Sequence, residues 1–412
     1  MIDTFTIRQK VSGELFSYLK DIKFDTYLKE LRNKEDYDQS FKGIQHISLK
    51  IFKKSKEESE EISFFHYLDI TISPANFISK KDADKLAIFK SEYYKPILAI
   101  FEGTIRDYLL LCDLATVCEY DILGQPREQI PPADIESILD FNNYYFKRVD
   151  YCCQLPSCRD AEKYIKLLQL GDIQQQGKPK YKYFKIDGEL PEGSFYVYAN
   201  GYHINFYSKQ NQLINRGADK GTIKRAENVV RLEIQCARDK LGQIKRKHQE
   251  ELKKYVEELY KDDANVTSYE MKTMLDYEIN NMKSEIELFF DIERAKDIIL
   301  KAYNNICRKG NYYKKATVIR IIKDNKKRTT QAKMLELLKL VNPSNGKKRA
   351  IREVREQLKD KKIKSIIKPE EITKILNWFD DLNINVVCLE DSYKYDMLPN
   401  LSSEIEDNFF LW

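Results

Sequence analysis

Apolar and polar residues alternate with a period of two over residues 2–12, where Ile2, Thr4 and Thr6 take turns with Asp3, Phe5 and Ile7. The same period returns at 44–52 and 61–73, on either side of the polar connection KKSKEESEE, and predicts a strand followed by a long hairpin. Between them Leu15, Phe16, Leu19 and Ile22 recur at helical spacing. After Pro74 the period changes, and 82–118 reads as one or two apolar helices interrupted near Pro96. Gly124, Pro126, Pro131 and Pro132 mark 119–140 as a loop. A strand at 143–154 is followed by a helix that starts at Ser157 and ends at Gly171. At 194–208 Asn200-Gly201 separates two alternating aromatic runs, a strong hairpin signal. One more strand at 228–237 leads into helix, and from there strand signals nearly vanish until NINVVCLE at 383–390. The break KDDANVTS places a boundary near 265. The expected fold is α+β, with a mostly antiparallel sheet in a domain at 1–265 and a mainly helical domain at 266–412.

Residues that alternate with a core-facing set share the opposite face of their strand. By that rule Asp69 joins Phe65, Tyr67 and Thr71, while Asp150 joins Arg148. Glu233 joins Arg231 and Gln235, and His203, Asn205, Tyr207 and Lys209 form a fourth polar row. If these strands are neighbours, three carboxylates, a histidine, a tyrosine and a lysine converge on one face. An oxygen-rich set of Asp69, Asp150 and Glu233 suits Mg²⁺ or Mn²⁺ better than zinc, with His203, Arg148 and Arg231 in support. A tyrosine beside such an ion can attack a phosphodiester, with Lys209 stabilising the phenolate or the charge on phosphorus. Solvent-facing acids and cross-strand aromatics are also ordinary in sheets, and Tyr202 is the rival nucleophile in the same hairpin.

Composition narrows the classes. With 14 Gly and 11 Pro in 412 residues the chain is neither low-complexity nor collagen-like. Lys and Arg number 70 against 65 Asp and Glu, and the resulting +5 is too small to indicate a nucleic-acid binder by total charge. No apolar run approaches the roughly 18 residues of a membrane helix, and MIDTFTIRQK lacks a signal pattern, so a cytoplasmic location is expected. The eight cysteines show no CxxC pair and read as reduced, buried thiols.

Four segments in order, HYLDITISPANF, KRVDYC, INFYSKQNQL and VVRLEIQ, behind a MIDTFTIR start, resemble the phage and plasmid replication initiators of the gene II/X type. The likeness spans roughly residues 1–240. It implies a five-stranded antiparallel sheet with packed helices, of the relaxase kind related to HUH endonucleases. It also implies strand-specific nicking of a replication origin in rolling-circle replication. On the motif match Tyr207 is the nucleophile that keeps the 5′-phosphate and frees a 3′-hydroxyl primer, and Asp69, Asp150 and Glu233 fall at acidic metal positions. The His-hydrophobic-His motif of the wider superfamily is missing, and His66 falls on the apolar face. DNA is then the partner, together with a host polymerase and a host helicase, since no GxxxxGK[ST] loop is present.

In the helical half, 308–333 holds ten Lys or Arg against one Asp, and 346–364 holds nine against three. Such stretches fit phosphate contact in a helix-turn-helix-like arrangement, or a solvated basic surface. Other functions consistent with the same residues are a non-catalytic origin binder or repressor, and a relaxase for mobilisation or transposition.

Overall fold

The computed structural model describes residues 2–32, 41, 43–56, 59–78, 94–117, 131–155, 160–171, 182–183, 193–199, 201–259, 273, 285–344 and 347–410. The strands are β1 (Ile2–Val11), β2 (Ile44–Lys56), β3 (Ser59–Ile72), β4 (Tyr145–Leu155), β5 (Lys182–Tyr183), β6 (Ser194–Ala199), β7 (Tyr202–Ser208) and β8 (Val230–Ala237). The chain folds as two compact units, Met1–Tyr151 with Gln235–Ala295 and Cys152–Ile234 with Lys296–Trp412. Each unit is therefore discontinuous in sequence. The division expected at 265 is replaced by one in which 266–295 stays with the first unit and 296–412 folds with 152–234.

In the first unit the strand order is β2, β3, β1, β4, with β1 antiparallel to both neighbours. Phe5 and Ile7 of β1 and Leu68, Ile70 and Ile72 of β3 are fully buried. They form one face of the sheet, as period-two alternation requires. Leu15 and Leu19 come from the helix Gly13–Asp21, which Ser12 caps by accepting the Leu15 N–H at 2.9 Å. Ile97, Phe101, Ile105 and Tyr108 come from the helix Tyr94–Val117. Pro96 lies in the first turn of that helix, where its missing N–H costs no internal bond, while residues 82–93 of the stretch expected to be helical lie outside the described residues. Phe5 packs against Phe146 and Phe290, each at 5.4 Å between centroids. The residue Phe290 belongs to a segment that sequence reading assigned to another domain. Each such buried ring contributes roughly 1.5–3 kcal/mol of apolar burial.

In the second unit the order is β8, β7, β6, β5, and β6 and β7 form the hairpin expected at 194–208. Gly201 holds φ at +83°, a left-handed value that a side chain would strain, while Asn200 lies outside the described residues. The helix expected to start at Ser157 starts after Asp160, whose side chain accepts the Lys163 N–H at 3.0 Å. Ser157 itself lies outside the described residues. The helices of 296–410 pack on this unit. Tyr164 donates to the Pro399 carbonyl at 2.9 Å, and the Ile351 N–H donates to the Leu170 carbonyl at 3.2 Å. NINVVCLE forms no strand and makes only isolated bridges, Ile384 with Asn311 and Leu389 with Lys314. Asn342 holds this segment in place by donating to Val386 O at 2.7 Å and accepting the Cys388 N–H at 2.9 Å.

The molecule is thus α+β with an antiparallel sheet and a helical C-terminal region. Among the described residues, seven antiparallel strands of six residues or more, plus the two-residue β5, stand in place of the five expected. Among the described residues no helix is long and apolar enough to cross a membrane.

Candidate functional site

On the first unit, register assembles the polar face. Arg8 stands opposite Asp69 and Lys10 opposite Tyr67, while on the other side of β3 Lys50 stands opposite Tyr67 and Phe52 opposite Phe65. Thr4 stands opposite Asp150 and Thr6 opposite Arg148. Residues directly opposite on antiparallel strands point the same way, so all of these share one face.

Asp69 is buried, at 3% exposure, and surrounded by cations. Arg8 donates from Nε at 2.5 Å and from Nη2 at 2.8 Å, Lys147 Nζ donates at 2.7 Å, and Lys50 Nζ lies at 3.6 Å. A register shift in the pairing of β1 with β4 leaves Lys147 unmatched between Arg148 and Phe146, and its ammonium reaches Asp69. Burial pushes the Asp69 carboxyl up, but the bonds from Arg8 and Lys147 outweigh it and hold the group below the usual carboxylate range. The bond to Asp69 raises Arg8 further, whereas burial lowers Lys147 despite its bond to the same carboxylate. The Arg8 guanidinium also lies 5.0 Å from the ring centroids of Phe52 and Tyr67.

Asp150, equally buried, accepts from the Thr4 hydroxyl and pairs with Arg148 Nε at 3.0 Å. Thr4 and Arg8 are four residues apart on β1, which separates their partners Asp150 and Asp69 by about 13 Å along the strand. Ligands of one Mg²⁺ must each lie at roughly 2.0–2.1 Å. Asp69 and Asp150 therefore cannot hold a common ion, and the expected site of Asp69, Asp150 and Glu233 does not fit Mg²⁺ or Mn²⁺ as a unit. Each of the two aspartates is instead matched by cations of the chain itself. Among the described residues no group of three His, Cys, Asp or Glu side chains is placed to hold a metal.

On the second unit the Tyr207 hydroxyl donates a hydrogen bond to Glu233 Oε1, and Arg231 Nε lies 2.9 Å from the same oxygen. All three side chains are buried, Arg231 at 2% exposure. Alternation on β7 and β8 places them together as expected. Two expected members fall elsewhere. His203 is exposed, four residues from Tyr207 along β7 or about 13 Å, and stacks edge-on against Tyr198 at 4.7 Å. Lys209 leaves the strand altogether: β7 ends at Ser208, which caps the helix Lys209–Asn215, and the Lys209 ammonium donates to Gln212 Oε1 at 2.8 Å. Tyr202 alternates with Tyr207 and lies with Ile204 and Phe206 on the other face.

Sequence reading missed a cleft of about 830 Å³ on the first unit, where Lys10, Tyr67 and Tyr145 face the helix Arg238–Leu259. The signal was the alternation of basic residues on β1 with aromatic ones on β3, legible only once the two strands are known to pair.

In the basic stretches at 308–333 and 346–364 some cations are engaged inside the second unit and others are exposed. Arg308, at 6% exposure, donates to Asp380 at 3.0 Å. Lys315 donates to Asn342 O at 2.6 Å, Lys333 pairs with Glu371 at 2.5 Å, and Arg352 donates to Gln169 O at 3.0 Å. Lys348 donates to the Cys388 carbonyl. Lys309, Arg320, Lys323, Lys327 and Arg328 are the exposed cations of the first stretch, and Lys347, Lys359, Lys361, Lys362 and Lys364 those of the second.

No protein-family model matches this chain, and no curated protein or solved structure is similar to it at a significant level.

Proposed function

We propose that the chain is a DNA-binding initiator of rolling-circle replication that nicks one strand of an origin through Tyr207, on a relaxase-like sheet. The observation that carries this reading is the hydrogen bond from the Tyr207 hydroxyl to Glu233. A phenol has an ordinary pKa near 10, so its attack on phosphorus needs an acceptor for the proton. Glu233 supplies one, and Arg231 orients the carboxylate. In the step, the Tyr207 oxygen bonds to phosphorus, its proton passes to Glu233, and the bond from phosphorus to the 3′-oxygen breaks. The 3′-oxygen takes up a proton from water and becomes the primer for a host polymerase, with a host helicase opening the duplex.

The burial of Tyr207 and the complete pairing of Asp69 favour a second reading, a non-catalytic origin binder built on the same sheet. One experiment separates the two. The full chain is incubated with Mg²⁺ or Mn²⁺ and a supercoiled plasmid carrying its own origin, and peptides linked to a 5′-phosphate are sought by mass spectrometry. A Tyr207 adduct that disappears in Tyr207→Phe supports nicking. Origin binding without any adduct selects the second reading, and an adduct on Tyr202 moves the nucleophile.

A further inference from the structure

The cleft on the first unit carries chemistry that the Tyr207 site does not use. Lys10, Arg238, Lys245 and Arg246 line it, with Tyr67 and Tyr145 among its aromatic walls. Lys245 is taken up by Glu285, which also accepts the Phe146 N–H at 3.0 Å. Lys10, Arg238 and Arg246 are exposed and make no ion pair with a carboxylate among the described residues, and Lys10 lies 4.9 Å over the Phe65 ring. Gly242 adds a second feature. It sits inside the helix Arg238–Leu259, where glycine is less favourable than alanine. A Cβ there would meet only Arg246 Nη1, at 3.9 Å, so any larger side chain would stand in the open cleft.

Cations without carboxylate partners suit a phosphate backbone, and half-exposed aromatic rings beside them suit unpaired bases, which every sequence presents as flat faces. A duplex hides those faces. We propose that this cleft seats a single strand of DNA, with Arg238 and Arg246 on phosphates and Tyr67 and Tyr145 stacked on bases. The inference deepens the reading of the protein as a DNA-binding initiator and rests on DNA being its substrate. It does not depend on Tyr207 chemistry.

The test is fluorescence anisotropy of a labelled single-stranded oligonucleotide with the full chain, over a range of salt concentrations. Gly242→Trp and the double variant Arg238→Glu/Arg246→Glu should each weaken binding about tenfold or more. The double variant should also flatten the dependence of log affinity on log salt by about 0.7 for each phosphate that the arginines no longer neutralise. Tyr145→Ala should weaken binding by about fivefold or more. Lys254→Glu, exposed on the same helix away from the cleft, serves as the charge control and should bind as the wild type does. Thermal unfolding verifies that each variant is folded, and the two arginine changes, at exposed positions, keep the test open if Gly242→Trp does not fold.

Folded cleft variants that bind with wild-type affinity and salt slope would overturn the cleft and leave the proposed function standing. Weakened cleft variants in a protein that forms no Tyr207 adduct would uphold the cleft and defeat nicking. A wild-type chain that ignores single strands overturns the cleft, while the proposed function is decided separately by the Tyr207 adduct. Competition by poly-aspartate as strong as that by the oligonucleotide would overturn the assignment, because it would show charge attraction without base stacking.

Discussion

Arg8 and Asp69 face each other across β1 and β3 and are joined by two N–H···O bonds, one from Nε and one from Nη2, with both side chains buried. Bidentate geometry of this type is the strongest arrangement of the pair, and it makes each partner depend on the other. A carboxylate expected to hold a metal is thus an anchor of the sheet's polar face.

The pair dictates how stability responds to acid. The Asp69 carboxyl is held below its ordinary value, so its stabilising contribution is fully present above about pH 4 and is lost as pH falls through the folded-state value. Asp69→Asn leaves Arg8 buried without its counter-charge and should cost about 3 kcal/mol at neutral pH. Urea midpoints at pH 7 and pH 3 check this. The gap between wild type and variant should narrow at the lower pH, and a gap of constant size would show that Asp69 is not the titrating group.

Truncation at the boundary read from sequence should prevent folding. A 1–265 fragment loses Phe290 from the Phe5 cluster and the Phe289 carbonyl that accepts the Tyr151 hydroxyl at 2.9 Å. It also loses Pro399 and Ile351, which bond to Tyr164 and Leu170. Circular dichroism of the fragment should show no cooperative thermal transition. A sharp transition near that of the full chain would mean that 266–412 is dispensable to both units.

The buried thiols should be inert. Cys112, Cys153, Cys236 and Cys388 have their pKa pushed up to about 12 by burial, so the reactive thiolate is scarce at neutral pH. Under native conditions iodoacetamide should leave these four unlabelled, and denaturant should expose them all. Peptide mass spectrometry reads both states, and rapid native labelling of any of the four would contradict its placement in the core.

Much of the local design was legible from residue order alone. Period-two alternation placed Tyr207, Glu233 and Arg231 on a polar strand face, and Asn200-Gly201 announced the hairpin, because strand faces and turns depend on neighbours a few residues away. Which polar faces meet is another matter. Pairing on β1 brought Arg8 to Asp69 and Thr4 to Asp150, and that register separates two carboxylates that alternation had gathered into one metal site. The same holds for Lys209, removed from its strand by a helix cap, and for Arg308, Lys315 and Arg352 of the basic stretches, which find carbonyls and carboxylates many residues distant. Alternation is a property of one strand's backbone geometry. Partner identity is set by long-range contacts, whose free energy comes from burying apolar surface throughout each unit and from pairing whatever charges that burial encloses.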